Sequence, residues 1–100
     1  MVTLINRLTV TGCPKEFEGL LHGITEHMKA QPGFLSHQLY RSQHNPAVYV
    51  EIAEWSDAES HRKAMQSNAF VDRVKQLRAL ASAEPDVFTT VAAADPAPAG

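Results

Sequence analysis

Two strand-like segments of the chain each carry one polar residue in a row that is otherwise apolar. Asn6 interrupts the alternating apolar row within Val2–Val10, and Glu51 interrupts the row that runs from Tyr49 to Trp55. A buried amide without a partner costs roughly 1–3 kcal/mol, and Glu is almost never buried unless it is paired. Each residue therefore predicts either a structural hydrogen bond or ion pair, or a polar group that faces a ligand cavity.

The residue types define the chemistry that such a cavity could perform. A carboxyl group in an apolar cleft can act as a base near neutral pH, which makes Glu51 a candidate base. Trp55 is interpreted either as core or as a cavity wall, since its flat ring and indole N–H suit an aromatic ligand. His61 could face the same cleft, because it lies one helical turn before Met65. The further candidate walls of the cavity are Tyr49, Tyr40, Gln38, Met65 and Phe70.

The rest of the sequence carries no metal or nucleotide motif. The five His residues lack ligand spacing, no Gly-rich phosphate loop is present, and the single Cys13 cannot form an internal disulfide. The net charge of −2, without a run of Lys or Arg, gives no electrostatic support for a nucleic-acid or membrane partner. No secretory pattern opens the chain. We therefore expect a soluble, cytoplasmic protein without a metal site.

The elements that position these residues follow from hydrophobic periodicity. Pro14 opens a helix whose apolar stripe consists of Phe17, Leu20, Leu21, Ile24 and Met28. Further helices are predicted to start at a capping box, Ser56–Glu59, and at Ser67. The predicted strands are Val2–Val10, Phe34–Ser42, Ala47–Trp55 and Asp86–Val91.

This order of elements predicts an α+β fold of the ferredoxin-like, split βαβ type (βαββαβ), with an antiparallel sheet and helices on one face. The domain is expected to span residues 1–91, followed by a disordered Ala/Pro-rich tail over residues 92–100. The opposite face would carry His37 and the apolar residues Ile5, Leu35, Leu39, Val48, Val50 and Ile52. Because a bare apolar face is unusual in a monomer, we expect a homodimer with the sheets packed face to face, a dimeric α/β barrel.

Several segments of the chain resemble the antibiotic biosynthesis monooxygenase family. They are Val2–Val10, Gln31–Phe34, Tyr49–Trp55 with the acidic helix start after it, and Asn68–Phe70. The resemblance extends over about residues 2–91, with these segments in the right order. The resemblance is greatest to the cofactor-independent anthrone oxygenases, ferredoxin-like dimers that form quinones during aromatic polyketide biosynthesis.

The resemblance implies a site, a substrate class and the absence of a cofactor. Asn6 and Trp55 match the residues that act in the pocket of those oxygenases, which bind a polycyclic aromatic substrate and O₂. Some relatives carry a second Asn four residues before the Trp, where this chain has Glu51. The sixth residue after the Trp is aromatic in relatives, and here it is His61.

The predicted reaction is the oxidation of an anthrone- or naphthol-type phenol to a quinone. A deprotonated, electron-rich ring can give an electron to O₂ directly, so the protein has to position the ring, assist deprotonation and exclude water. We predict that the Asn6 amide holds the substrate carbonyl or enolate oxygen and that Trp55 fixes the ring plane. Either Glu51 or His61 accepts the proton, or the substrate loses it unaided. The alternatives are a polyketide cyclase of the same fold, an oxygenase that needs reduced flavin from a partner reductase, and a non-catalytic binding subunit.

Overall fold

The computed structural model describes residues 1–98, which form one four-stranded sheet and three helices. The strands are β1 (Val2–Val10), β2 (Phe34–Arg41), β3 (Val48–Trp55) and β4 (Ala81–Phe88). The helices are α1 (Pro14–Met28), α2 (Ala58–Met65) and α3 (Asn68–Arg78). All three strand pairs are antiparallel and the strand order is β2-β3-β1-β4. The predicted α+β fold is confirmed, and within one chain the sheet is open rather than closed into a barrel.

The described residues after β4 form no regular structure. Residues 89–98 contain neither helix nor strand and are exposed. Residues 99 and 100 of the expected tail lie outside the described part of the chain. Within residues 1–98, no helix is long and apolar enough to cross a membrane.

The core lies between the helices and one face of the sheet. Alternate residues of β1 and β3 are buried there, as the two-residue period predicts. The buried hydrophobic residues are Leu8, Val10, Phe17, Leu21, Ile24, Met28, Tyr49, Ala53, Trp55, Ala64, Leu77 and Ala81. In this register Asn6 lies directly opposite Glu51 on the neighbouring strand. The two polar residues that interrupt the apolar rows therefore meet inside the core.

Strand β4 begins earlier than predicted and includes Pro85, which pairs in register with Asn6. The prediction that this strand starts at Asp86 is therefore wrong. A proline cannot donate to a ladder, but it is tolerated in an edge strand, where one side needs no donor. The edge position of β4 depends on the whole sheet, which the local sequence does not reveal.

Strand β2 contains a β-bulge between Phe34 and Ser36, which reverses the predicted faces for the rest of the strand. A shift of one residue moves every following side chain to the other side of the sheet. His37 and Leu39 therefore face the helices, with Leu39 opposite Glu51. Their predicted position on the opposite face is wrong.

The helix starts are set by side-chain caps. Asp57 caps α2, since its carboxylate accepts a 2.7 Å hydrogen bond from the backbone N–H of Ser60. This bond holds the pKa of Asp57 below its usual value. The predicted capping box placed the cap one residue earlier, at Ser56, but a carboxylate is the stronger acceptor. Ser67 caps α3 as predicted, by accepting from the N–H of Phe70.

Gly33 forms the tight connection between α1 and β2. Its φ of +88° lies in the left-handed region that glycine adopts without strain. A Cβ atom at this position would lie 2.4 Å from the Cβ atom of Ser60. The Gly33 carbonyl also accepts a 2.8 Å hydrogen bond from the backbone N–H of Ser56. Gly33 therefore allows the start of β2 to lie against α2, the helix that carries His61.

The face of the sheet away from the helices carries an apolar patch that the single chain leaves uncovered, beside polar and charged residues such as Arg7, Gln38 and Glu84. Ile5, Val48, Val50 and Ile52 lie there as predicted, since each occupies the register position opposite to the buried row. Because of the bulge, Tyr40 joins them, with 49% of its surface exposed. We call these five residues the apolar face.

Candidate active site

A cavity of about 630 Å³ lies between the helices and the sheet. Its size falls in the range of small-molecule sites, about 300–1,000 Å³. Every strand and every helix contributes to its mostly apolar walls. The apolar lining residues are Leu4, Leu8, Leu21, Ile24, Met28, Phe34, Ala53, Met65, Phe70, Val74, Leu77, Ala81, Ala83 and Pro85. The polar and polar-edged ones are Asn6, Thr11, Thr25, His37, Glu51, Trp55, His61, Arg78 and Ser82.

A chain of hydrogen bonds joins three of the cavity residues across β1, β3 and β2. The Asn6 Nδ2 atom donates to Glu51 Oε1 at 2.8 Å. The His37 Nε2 atom lies 3.0 Å from Glu51 Oε2, with the side chains of His37 and Glu51 only 15% and 12% exposed. Arg7, on the opposite face of the sheet, pairs with Glu84 and not with Glu51. Both oxygens of the Glu51 carboxylate are therefore occupied.

Three buried polar atoms of cavity residues have no hydrogen-bond partner among the described residues: Asn6 Oδ1, Trp55 Nε1 and His61 Nε2. The Trp55 and His61 rings lie beside each other with centroids 5.5 Å apart, and Phe34 packs edge-on against Trp55. A buried polar group without a partner costs about 1–3 kcal/mol. A ligand that supplies partners to an acceptor, an indole N–H and an imidazole nitrogen would recover this free energy.

His61 is a buried imidazole of the cavity whose pKa is lowered. The residue is 4% exposed, and burial lowers its pKa below the ordinary value of 6.5. A neutral imidazole has one nitrogen that can accept a proton. The unpaired Nε2 atom gives His61 the geometry of a base that is not engaged by another side chain of the described chain.

The candidate walls Met65 and Phe70 line the cavity, but Tyr49 does not. Tyr49 is 2% exposed, packs against Phe17, and donates a 2.6 Å hydrogen bond from its hydroxyl to Glu18. Burial and this carboxylate raise the pKa of Tyr49. Tyr49 is a core residue behind the cavity rather than a wall.

Gln38 and Tyr40 also lie outside the cavity, because the bulge in β2 turns them toward the opposite face. There the Tyr40 hydroxyl donates to the side-chain carbonyl of Gln38. His37 takes the position that these residues were expected to hold, and the sequence interpretation missed it. The signal that could have found it is Glu51, since a buried carboxylate needs a partner and His37 is the basic residue in the middle of the neighbouring strand.

Comparisons with known proteins agree with this architecture. The family model for antibiotic biosynthesis monooxygenases matches residues 1–76. The chain is 39% identical over 88 residues to deoxynogalonate monooxygenase of Streptomyces nogalater, covering 88% of this chain and 75% of that protein.

Solved structures extend the comparison to the fold. The chain is similar to SnoaB, a cofactor-independent oxygenase from Streptomyces nogalater, with 37% identity, a TM-score of 0.89, and coverage of 92% of this chain and 94% of that chain. Its likeness to PA3566 from Pseudomonas aeruginosa concerns the fold alone: identity is 21%, the TM-score is 0.76, and 91% of this chain and 94% of that chain are covered.

Proposed function

The chain belongs to the antibiotic biosynthesis monooxygenase family, and on that premise we propose that it oxidises an anthrone- or naphthol-type phenol to a quinone with O₂, without a cofactor. Its relatives are a monooxygenase and an oxygenase, and the chain is an oxidoreductase of this type. The cavity is the observation that carries the substrate class. Apolar walls around three unpaired polar atoms suit a flat aromatic molecule that bears a few oxygen atoms.

The first step is removal of a proton from the activated ring carbon. His61 Nε2 accepts it, since this atom has no other partner, whereas both oxygens of Glu51 already accept hydrogen bonds. The negative charge spreads onto the ring oxygen, where the N–H group of Trp55 stabilises it by donating a hydrogen bond. Asn6 binds a second substrate oxygen and, with Trp55, fixes the ring plane.

The second step is oxidation of the deprotonated ring by O₂. The ring gives one electron to O₂, and the resulting ring radical and superoxide combine to a peroxide on that carbon. Loss of water, with a proton returned by His61, leaves a carbonyl group. A ring CH₂ group and O₂ thus become a ring C=O group and H₂O. The apolar walls hold the ring and exclude bulk water during these steps.

The test is oxygen uptake together with quinone absorbance, measured with dithranol and purified protein freed of flavin and metals. Both signals should rise with protein concentration above spontaneous oxidation. Asn6→Ala should lower the rate at least about tenfold, whereas Asn45→Ala, in the exposed β2–β3 loop, should not.

Three results would contradict the proposal. Uptake only after addition of reduced flavin and a reductase would indicate a flavin-dependent oxygenase. A cyclised product formed from a polyketide chain without oxygen uptake would indicate a cyclase. Saturable binding of phenols with no turnover of either kind would indicate a binding subunit.

We also propose that the protein is a homodimer in which two apolar faces pack together. The support is the uncovered position of Ile5, Val48, Val50 and Ile52 on the open sheet. In such a dimer the cavities lie on the outer, helix-covered sides, so each chain retains its own complete set of cavity residues.

A further inference from the structure

The orientation of the Asn6 amide decides what this residue offers to a ligand. The amide nitrogen donates hydrogen bonds and the amide oxygen accepts them. Nδ2 lies 2.8 Å from Glu51 Oε1, and Oδ1 is buried without a partner. Because the nitrogen donates to the Glu51 carboxylate, the oxygen is left for the ligand.

His37 holds the same carboxylate from its other side. Its Nε2 atom lies 3.0 Å from Glu51 Oε2. Asn6 and His37 therefore both donate, and both hydrogen bonds point toward the Glu51 carboxylate. A glutamine at position 51 would impose no such direction. The glutamine amide both donates and accepts. The direction of the hydrogen bonds among residues 6, 51 and 37 could then reverse, which would turn the Asn6 nitrogen to the ligand.

We propose that Glu51, anchored by His37, is a positioning residue that fixes the Asn6 amide with its oxygen free, so that the site selects a substrate hydroxyl group at this position over an ether or carbonyl oxygen. The inference rests on the proposed function for the phenolic nature of the ligand. It reverses the sequence-based expectation that the Asn6 amide donates to a substrate carbonyl. The donor for a carbonyl is the unpaired N–H group of Trp55.

Asn6 Oδ1 and the Trp55 N–H group therefore require opposite hydrogen-bonding groups on the ligand. Asn6 Oδ1 requires a donor on the ligand, and the Trp55 N–H group requires an acceptor. A phenol that also bears a ring carbonyl satisfies both. Glu51 acts on the ligand only through Asn6, which distinguishes its role from that of a base.

Trp55 provides a measurement of binding that does not depend on turnover. It is the only tryptophan in the chain and it lines the cavity. Quenching of its fluorescence can therefore be titrated with 2-hydroxyanthracene and with 2-methoxyanthracene, which differ in the hydroxyl donor. Wild-type protein should bind the hydroxyl compound about 3- to 10-fold more tightly, the range expected for one neutral hydrogen bond.

Two variants test the role of Glu51 and of the acceptor that it orients. In Glu51→Gln the preference should fall below about twofold, because Asn6 is no longer held in one direction. Asn6→Leu removes the acceptor itself and should also abolish the preference, which gives an independent test if Glu51→Gln does not fold. The matched control is Glu84→Gln, the same change at an exposed residue outside the cavity, and it should retain the full preference.

The outcomes separate this inference from the proposed function. A wild-type protein without preference, or a preference that survives in folded Glu51→Gln or in Asn6→Leu, overturns the inference. Oxygen uptake with dithranol, measured in parallel, reports the proposed function alone. Uptake without the preference refutes only the inference, and the preference without uptake refutes only the oxygenase.

Discussion

The lowered pKa of buried His61 predicts how the stability of the protein depends on pH. Burial lowers the pKa of His61 in the folded protein below the value of 6.5 that it has in the unfolded chain. Between these two pKa values the unfolded chain binds a proton and the folded protein does not, so acidification favours unfolding. The stability that His61 contributes is fully present above pH 6.5 and is lost as the pH falls through the folded pKa.

Linkage sets the upper limit of the effect. Uptake of one proton on unfolding changes the free energy of unfolding by at most about 1.4 kcal/mol per pH unit. His61→Phe isolates this contribution, since it keeps an aromatic ring beside Trp55 but does not titrate. Glu26, Asp57 and Glu59 also have lowered pKa values and also disfavour folding in acid. These carboxyl groups titrate at lower pH, and their effect cancels because they are present in both wild type and His61→Phe.

Urea unfolding between pH 5 and pH 8, followed by far-ultraviolet circular dichroism, measures the difference. Fluorescence is unsuitable here, because the substituted ring lies 5.5 Å from that of Trp55. The stability of wild type relative to His61→Phe should stay constant above pH 7 and fall by up to about 1.4 kcal/mol per pH unit below pH 6.5. The reasoning would be refuted if the free energies of unfolding of wild type and His61→Phe changed in parallel below pH 6.5, or if wild type became relatively more stable in acid. Either result would show that folded His61 carries a proton.

Two further predictions concern the framework of the site and its assembly. Gly33→Ala should lower the free energy of unfolding by about 1–3 kcal/mol in thermal or urea denaturation, because alanine is strained at φ +88° and its Cβ atom meets Ser60. Gly19→Ala, where a Cβ atom has open space within α1, is the matched control and should be neutral or stabilising. Light scattering should give the mass of two chains for wild type and of one chain for Val50→Lys on the apolar face, whereas Val71→Lys on α3 should leave the mass unchanged. A single-chain mass for wild type would contradict the dimer.

The sequence predicts those parts of the fold that depend on local periodicity. The alternation in β1 and β3 and the stripe of α1 are properties of neighbouring residues, and the structure confirms them. The bulge in β2 and the inclusion of Pro85 in β4 depend on which strands pair and which lie at an edge. Those features arise only when the sheet assembles, so local patterns do not reveal them.

In the candidate site, too, the sequence predicts what local patterns determine and misses what the assembled sheet determines. Asn6 and Glu51 stand out in the sequence because a polar residue in a buried row is costly, and the structure does place them in the cavity wall. Gln38 and Tyr40 were assigned to the wrong face, and His37 was missed, because one bulge inverts the strand that carries all three. The direction of the hydrogen bonds from Asn6 and His37 to Glu51 requires atomic distances.

The bulge in β2 and Pro85 in β4 lie on the two edge strands of the sheet, and they have a consequence for aggregation. An open sheet ends in two rows of backbone groups that could template strands from other molecules. Here the bulge beside Leu35 distorts one row, and Pro85 removes a donor from the other. Growth of an intermolecular β-sheet, as in a fibril, is thereby disfavoured at both ends. In the proposed dimer, association through the apolar face is also closed, since two faces that cover each other leave neither free for a third molecule.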